Sequence, residues 1–211
     1  MQKRNKVSIT VVRRLPKYYR YLVDLLNNGI TRVSSQELSD MTGFTASQIR
    51  QDLNNFGGFG QQGYGYNVEE LKHQLGKILG LDTIYHAVIG GSGNLGQAIA
   101  NFKGFEDAGF QVVSLFDKNP KLVGSKIRDI EIRDINTMID YIQTHKIDIG
   151  IITVPKESAQ EMANLYIEAG VKGIWNFAPT DLELPEDIIV ENVSLNESLF
   201  TLSYFLKRRY D

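Results

Sequence analysis

The chain has 211 residues, no cysteine and a formal net charge of −2, which excludes disulfides, thiolate metal sites and cysteine nucleophiles. No apolar run reaches the roughly 20 residues of a membrane span, and the basic N-terminus lacks the apolar core of a signal peptide. No His, Asp or Glu cluster has metal-ligand spacing. We therefore expect a cytoplasmic protein without a membrane partner or a metal.

The charge is unevenly distributed along the chain. Residues 1–80 hold 11 Lys and Arg against 6 Asp and Glu, whereas the remainder holds 12 against 19. The first 20 positions carry seven basic residues and no acid. A basic domain joined to an acidic one suggests that the basic part meets a polyanion. A solvated terminus without a partner is the alternative.

Three helices are predicted in the basic segment. Apolar residues at helical spacing place the first over 16–28. A capping box at Ser34–Glu37 begins a second helix that ends near Gly43, and another at Thr45–Gln48 begins a third, from Ala46 to about Asn55. Two short capped helices separated by a tight glycine turn are typical of a helix-turn-helix.

The third helix has a polar, acid-free face that favours DNA reading. Ile49, Leu53 and Phe56 share one side, while Ser47, Gln51 and Asn54 point the other way with Gln48 and Arg50 at the flanks. Such side chains read base edges in the major groove. Alternating glycines and aromatics over 57–66 indicate a β-hairpin wing, followed by a helix over 68–79. A three-helix oligomerisation module is the alternative to this winged helix. The candidate DNA contacts are Lys3, Arg4, Arg13, Arg14, Lys17, Ser47, Gln48, Arg50, Gln51, Asn54, Gln61, Gln62 and Tyr64.

A glycine motif follows a buried strand at residues 84–90. Gly91, Gly93 and Gly96 fit G-x-G-x-x-G, which provides a tight turn, close approach of a pyrophosphate, and close packing of helix on strand. A second strand, 110–116, ends in Asp117, which lies 21 residues past Gly96. An acid at this spacing accepts from a ribose 2′-hydroxyl and favours NADH and NAD⁺ over the 2′-phosphorylated forms. Alternatively, Asp117 only opens the next turn.

The rest of the chain predicts a doubly wound parallel sheet. Strands are expected over 147–154, 170–177 and 188–193, with a helix from Pro155 to about Ala169. Ligands bind at the carboxyl ends of such strands, so the loops after Val154 and Phe177 are candidate walls of the nucleotide site. Thr153 and Asn176 either contact the ligand or only cap local turns.

The last segment is a capped helix that starts after Ser194 and ends in three basic residues. Its apolar side chains occupy much of its circumference, so it packs either on its own domain or on a second subunit. Catalytic groups are scarce: the three histidines are scattered, and no room remains for a substrate domain. We predict no enzyme; the alternatives are a small NAD-dependent oxidoreductase and a CoA-binding module with an interaction domain.

The whole arrangement resembles Rex, the family of redox-sensing transcriptional repressors of bacteria. The resemblance rests on Arg50–Leu53, Gly63–Val68, Gly91–Gly96, Thr153–Pro155 and Asn176–Pro179. It implies a homodimer that binds an inverted-repeat operator in double-stranded DNA at low NADH and releases it when NADH binds. It also implies a winged-helix domain at 1–80, a Rossmann NAD(H) domain at 81–193 and a swapped helix at 194–211.

The resemblance also implies the nicotinamide contacts. Ala98 and Phe102 would line that pocket together with Leu195 from the partner subunit. The full set of expected cofactor contacts is Gly91, Ser92, Gly93, Asn94, Leu95, Gly96, Ala98, Phe102, Asp117, Thr153, Val154, Pro155, Asn176 and Leu195.

Three positions depart from patterns found in the family. Phe102 stands where some members carry Tyr. Ser194 replaces an acid that pairs in some members with an arginine matching Arg20, so that pair cannot form here. Gln61 and Gln62 stand where basic residues are common, so we expect fewer phosphate or minor-groove contacts from the wing.

Overall fold

The computed structural model describes residues 7–61 and 64–210. It divides into two compact units, one up to Thr83 and one from Ile84 onward, here called the N-terminal and C-terminal units. Lys3, Arg4 and Gln62, together with the side chain of Gln61, lie outside the described residues.

The N-terminal unit is a winged helix. Its elements are α1 (Ile9–Val12), α2 (Leu15–Asn27), β1 (Arg32–Val33), α3 (Ser35–Thr42), α4 (Ala46–Asn54), β2 (Gly60–Gln61), β3 (Gly65–Asn67) and α5 (Val68–Ile78). The strands form a small antiparallel sheet in the order β1-β3-β2. The sequence did not indicate α1 or β1, because each is too short to show a periodicity.

Local capping explains where the helices of this unit begin and end. Ser34 and Glu37 form a reciprocal capping box on α3, and Gly43 ends that helix with φ 74°. Thr45 caps α4 and Asn67 caps α5. The apolar sides of α2, α3, α4 and α5 meet in one core that includes Leu22, Leu38, Ile49 and Leu71.

The C-terminal unit is an α/β fold. Its elements are β4 (Tyr85–Gly90), α6 (Asn94–Asn101), α7 (Gly104–Asp107), β5 (Phe110–Asp117), β6 (Lys126–Ile127), β7 (Ile130–Asp134), a 3-10 turn (Ile135–Thr137), α8 (Met138–Thr144), β8 (Ile149–Ile152), α9 (Lys156–Glu168), β9 (Gly173–Asn176), β10 (Ile189–Asn192) and α10 (Leu195–Tyr210).

The seven strands lie in the order β10-β9-β8-β4-β5-β7-β6. All neighbours are parallel except the β6–β7 hairpin. The chain runs outward from β4 through β5 to β7 and then returns to β8 on the other side of β4, which is the switch point of a doubly wound sheet. The predicted fold class is therefore confirmed.

The two faces of this sheet are covered differently. One face packs on α8 and α9 around Phe116, Met162 and Tyr166. Part of the other face is an apolar groove of about 370 Å³ that extends over β5, β4, β8, β9 and β10 and contains Ile151 and Trp175. All side chains of α10 from Leu195 to Arg209 are exposed, including Leu199, Phe200 and Phe205. Within the described chain, the groove and this helix leave apolar surface open.

Candidate nucleotide site and DNA-reading surface

A cavity of about 470 Å³ lies at the carboxyl ends of β4, β5 and β8. These ends are level with one another, because Gly90 pairs with Phe116 of β5 and with Ile152 of β8. Six of the residues predicted to bind the cofactor line the cavity: Gly91, Gly93, Asp117, Thr153, Val154 and Pro155. The structure thus gathers residues that are up to 64 positions apart in the sequence.

Two of the three motif glycines are required by packing. Gly91 has φ 98°, and a Cβ there would lie 2.9 Å from Cγ1 of Val154. A Cβ on Gly96 would overlap the carbonyl oxygen of Gly91 and lie 2.9 Å from Oγ1 of Thr153. Only glycine lets the start of α6 approach the β4 turn this closely, which is the third-glycine role in a dinucleotide motif.

Gly93 differs, because it is exposed and no protein atom lies within 4 Å of the position that a Cβ would occupy there. It is the N-cap of α6, and no side chain caps this helix. The first N–H groups of an α-helix have no intrahelical partner, and the helix dipole favours negative charge there. The structure therefore keeps an open backbone approach to a helix N-terminus, as a pyrophosphate requires.

Asp117 fixes the glycine turn from the neighbouring strand. Its carboxylate accepts from the backbone N–H of Ser92 at 2.6 Å and from that of Asn119 at 2.8 Å. Asp117 thus opens the turn after β5, and it also lines the cavity, where its contact with a ribose stays a prediction. A carboxylate has about four acceptor sites, so capacity for a ligand hydroxyl remains. Ser92 is buried, and its Oγ has no hydrogen-bond partner among the residues that the structure describes.

Thr153 and Asn176 have clear local roles. The Thr153 hydroxyl donates towards the carbonyl oxygens of Gly90 and Gly91, at 3.1 and 2.8 Å, and so ties β8 to the glycine turn. Asn176 is fully buried; its amide donates to Thr180 and Asn192 and accepts from Ala178. For Asn176 this favours the capping interpretation over direct contact with a ligand.

The predicted nicotinamide contacts lie apart from this cavity. Ala98 and Phe102 are exposed at the C-terminal part of α6, and Leu195 is exposed at the start of α10. The Phe102 ring packs edge-on against Phe105 at 4.8 Å between centroids, and Phe105 packs in the same way on Trp175. In a single chain these side chains do not form a closed pocket, and their role remains a prediction.

Several further residues, which the sequence patterns do not indicate, line the cavity. Lys118 and Asn119 follow β5 directly, and Ile135 follows β7. Leu122 and Ser158 also line the cavity. The alternation of Ile130 and Ile132 with Glu131 and Arg133 is the period-2 signal of a strand and points to the loop that contains Ile135.

The recognition helix α4 presents its polar face to solvent. Ser47, Arg50, Gln51 and Asn54 are exposed and Gln48 is half-buried, whereas Ile49 and Leu53 are buried. The Arg50 guanidinium donates to the hydroxyl of Ser35 at 2.7 Å. Because this contact is exposed, Arg50 remains accessible to a partner. The predicted face is thus present on the structure.

Arg14, a candidate DNA contact, is engaged within its own unit. Its guanidinium forms a bidentate pair with the carboxylate of Asp52, with both distances 2.6 Å. Its side chain is only 14% exposed. This pair lies 38 positions apart in sequence and has no local signal, so the sequence could not reveal it.

The other basic candidates occupy varied positions. Arg13 is exposed, and Lys17 is half-buried with its ammonium 5.1 Å from the centroid of the Phe44 ring. Tyr64, in the turn of the wing, is 71% exposed. Arg32, which no sequence pattern singles out, donates to the carbonyl oxygen of Tyr64 at 3.3 Å and so holds the wing against β1.

Over residues 7–61 and 64–210 no cluster of three or more His, Asp or Glu has the arrangement of a metal site. Within the same part of the chain, no helix is long and apolar enough to cross a bilayer.

A winged helix joined to a dinucleotide-type sheet defines the class as a DNA-binding regulator with a nucleotide-binding domain. Family comparisons agree: residues 6–54 match a family described as "Putative DNA-binding protein N-terminus", and residues 82–180 match the CoA binding domain family. The chain is 63% identical over 201 residues to the redox-sensing transcriptional repressor Rex of Clostridioides difficile strain 630, covering 95% of this chain and 96% of that protein.

Further relatives give the same result. The Rex repressor of Clostridium botulinum strain Hall is 57% identical over 208 residues, covering 99% of each chain. RSP is a Rex-family repressor. Its crystal structure with β-NAD⁺ and operator DNA matches with a TM-score of 0.92 at 59% identity, covering 97% of this chain and 94% of that one. RSP with β-NADH matches with a TM-score of 0.91 at 56% identity, covering 98% and 97%. This chain belongs to the Rex family of redox-sensing transcriptional repressors, whose members are named as repressors and not as enzymes.

Proposed function

We propose that this repressor acts in the cytoplasm as a homodimer that binds an inverted-repeat operator when NADH is scarce and leaves it when NADH occupies the cavity beside β4. The observation that carries the proposal is the open approach at Gly93 to the uncapped start of α6. The RSP complexes with NADH, NAD⁺ and operator DNA support it.

The cavity suits the adenosine and pyrophosphate parts of the cofactor. The pyrophosphate lies on the turn of Gly91 to Gly93, with backbone N–H groups of α6 as donors. Asp117 accepts from the adenosine ribose, and the apolar side chains of Leu122 and Ile135 provide surface for the adenine.

The second subunit completes the other half of the site. An exposed helix with seven large apolar side chains and an open apolar groove on the sheet are surfaces that an oligomer interface covers. We infer that α10 packs on the partner, which brings Leu195 of one chain towards Ala98 and Phe102 of the other. Nicotinamide binding then depends on the dimer.

DNA reading is assigned to α4 in the major groove. Arg50, Gln51 and Asn54 contact base edges, while Arg13, Lys17 and the wing contact phosphates, in the usual division between specific and positioning contacts. The net positive charge of residues 1–80 supplies the salt-dependent attraction to the phosphate backbone of DNA.

NADH acts as a switch only if it binds the operator-free form more tightly than the operator-bound form. The test is fluorescence anisotropy of a labelled operator, selected from random duplexes by the protein itself, at constant salt. We expect saturating NADH to weaken operator binding at least tenfold, with NAD⁺ less effective and NADPH ineffective. Operator affinity that stays the same at saturating NADH would reject the proposal.

CoA is the second candidate ligand, because residues 82–180 match a CoA-binding family. CoA carries a phosphate on its adenosine ribose, and the Asp117 carboxylate at the ribose position repels that charge. We therefore expect that CoA, even in excess, does not displace NADH, and that NADH displaces any fluorescent CoA derivative that binds. The reverse order of displacement would favour a CoA-responsive regulator.

A further inference from the structure

One helix holds both ends of the recognition helix. Near the C-terminal end of α4, the carboxylate of Asp52 accepts two hydrogen bonds from Arg14, each 2.6 Å, and one from the hydroxyl of Tyr18 at 2.7 Å. Asp52 is 2% exposed. Burial raises the pKa of Tyr18, so its hydroxyl remains protonated as a donor. All three bonds come from the N-terminal part of α2 or the residue that precedes it.

The start of α4 is held by the same part of α2. Phe44 directly precedes the N-cap residue Thr45. Its ring and the Tyr18 ring form a T-shaped pair with 5.7 Å between centroids. The ammonium of Lys17 lies 5.1 Å from the centroid of the Phe44 ring. Arg14, Lys17 and Tyr18 are spaced at i, i+3 and i+4, so they share one face of α2.

Stability alone gives no reason for an ion pair at this place. A buried ion pair contributes little net stability, and well-packed apolar residues of similar volume often replace it without loss. The pair instead imposes direction, because a guanidinium fork accepts a carboxylate only in a narrow range of orientations. It also neutralises the one acid of α4, which would otherwise lie uncompensated in the element that meets DNA.

We propose that Arg14 and Tyr18 are positioning residues of DNA recognition: they act through Asp52 to set the orientation of α4, and they do not contact bases. The proposal rests on the proposed function, since it assumes that α4 reads an operator. It gives Arg14 an indirect role in place of the direct DNA contact that the sequence predicts.

The decisive test is the double variant R14M/D52L. It removes one positive and one negative charge, so the net charge of the N-terminal unit and its non-specific attraction to DNA are preserved. We expect operator affinity to fall at least tenfold, while affinity for a scrambled duplex stays within about twofold of wild type. The matched control is K172M/D187L, which removes an exposed pair in the C-terminal unit and leaves both affinities unchanged.

A merely structural role would lower the unfolding temperature and leave the ratio of operator to scrambled-duplex affinity unchanged in the folded protein. That result in R14M/D52L would overturn the positioning role. If the double variant does not fold, Arg14→Lys decides, because lysine keeps the charge but cannot form the bidentate fork. We expect Arg14→Lys to lower the ratio severalfold; an unchanged ratio overturns the proposal.

The wild-type protein separates this inference from the function on which it rests. If the wild-type protein prefers no selected operator over a scrambled duplex, both the proposed function and the positioning role are wrong. If the wild-type protein prefers its operator and R14M/D52L shows the same preference, only the positioning role is wrong.

Discussion

The two units present opposite kinds of binding surface. In the N-terminal unit, α3, α4 and α5 begin at Ser34, Thr45 and Asn67, and each side chain accepts from its own helix. In the C-terminal unit, α6 begins at Gly93 without a side-chain cap. At these three helix starts the first unit satisfies its backbone N–H groups with side chains, and it offers other side chains for binding. At the start of α6 the second unit leaves its backbone N–H groups open.

The difference follows from what each surface has to recognise. Base edges differ in their donors and acceptors, so reading them requires particular side chains on a fixed helix. A pyrophosphate is the same in every dinucleotide, and backbone N–H groups with a helix dipole suffice. Substitutions that add side chains at the glycine turn should therefore weaken nucleotide binding by the second unit. Substitutions that remove side chains from the polar face of α4 should weaken operator binding by the first.

The largest effect is expected from Gly93→Asp. The added Cβ meets no protein atom, and aspartate is a favoured N-cap residue, so we expect stability to be preserved. A like charge about 4 Å from a phosphate costs about 4 kcal/mol at an effective dielectric constant near 20. Titration calorimetry should therefore show that the affinity for NADH falls at least a hundredfold. Gly93→Asn, the uncharged control, should lose much less; equal losses in both variants would mean that crowding, and not charge, acts here.

Gly96→Ala tests the closed part of the same turn. Its Cβ overlaps the Gly91 carbonyl, and such overpacking costs about 3 kcal/mol. Urea unfolding should show this loss in the C-terminal unit. Gly58→Ala, with no atom near its Cβ, should stay within about 0.5 kcal/mol of wild type. A stable Gly96→Ala protein would contradict the tight packing of α6 on β4.

Arg50→Ala tests the side-chain surface. If Arg50 makes a bidentate base contact, operator affinity should fall by about 1–3 kcal/mol, with little change for a scrambled duplex. Lys77→Ala removes the same charge from α5 and should weaken both duplexes slightly and equally. If Arg50→Ala lost the same affinity for the operator and for the scrambled duplex, Arg50 would contact phosphates instead of bases.

Ser34→Ala has the smallest expected effect, about 1 kcal/mol in the free energy of unfolding. Hydrogen bonding from the Ser34 backbone and side chain holds the pKa of Glu37 below its ordinary value of 4.5. The stabilisation linked to that lowered pKa is present above pH 4.5 and is lost as the pH falls through the lowered value. Alanine keeps the backbone N–H, so Ser34→Ala loses only the side-chain part of this linkage. The difference in the free energy of unfolding between wild type and Ser34→Ala should therefore shrink slightly in acid, as urea unfolding at several pH values will show. Ser39→Ala, within α3, serves as the control. If the difference in the free energy of unfolding between wild type and Ser34→Ala did not change with pH, the effect of Ser34 would be independent of the titration of Glu37.

Local signals in the sequence predicted much of this molecule. The spacing of Gly91, Gly93 and Gly96 and the caps at Ser34 and Thr45 involve residues close in sequence, and their geometry follows from backbone chemistry. The Arg14–Asp52 pair and the amide network of Asn176 depend on tertiary contacts, for which a single sequence has no periodic signal. Phe102 and Leu195 remain predictions because their expected neighbours belong to a second subunit.

The central claim is that the nucleotide site and the operator compete through one equilibrium. Linkage requires that the operator weaken NADH binding by the same factor by which NADH weakens operator binding. The most direct measurement is therefore the NADH dissociation constant with and without saturating operator duplex. We expect it to rise at least tenfold on the operator and to be unchanged with a scrambled duplex. The same NADH affinity in the presence and absence of operator would contradict the account.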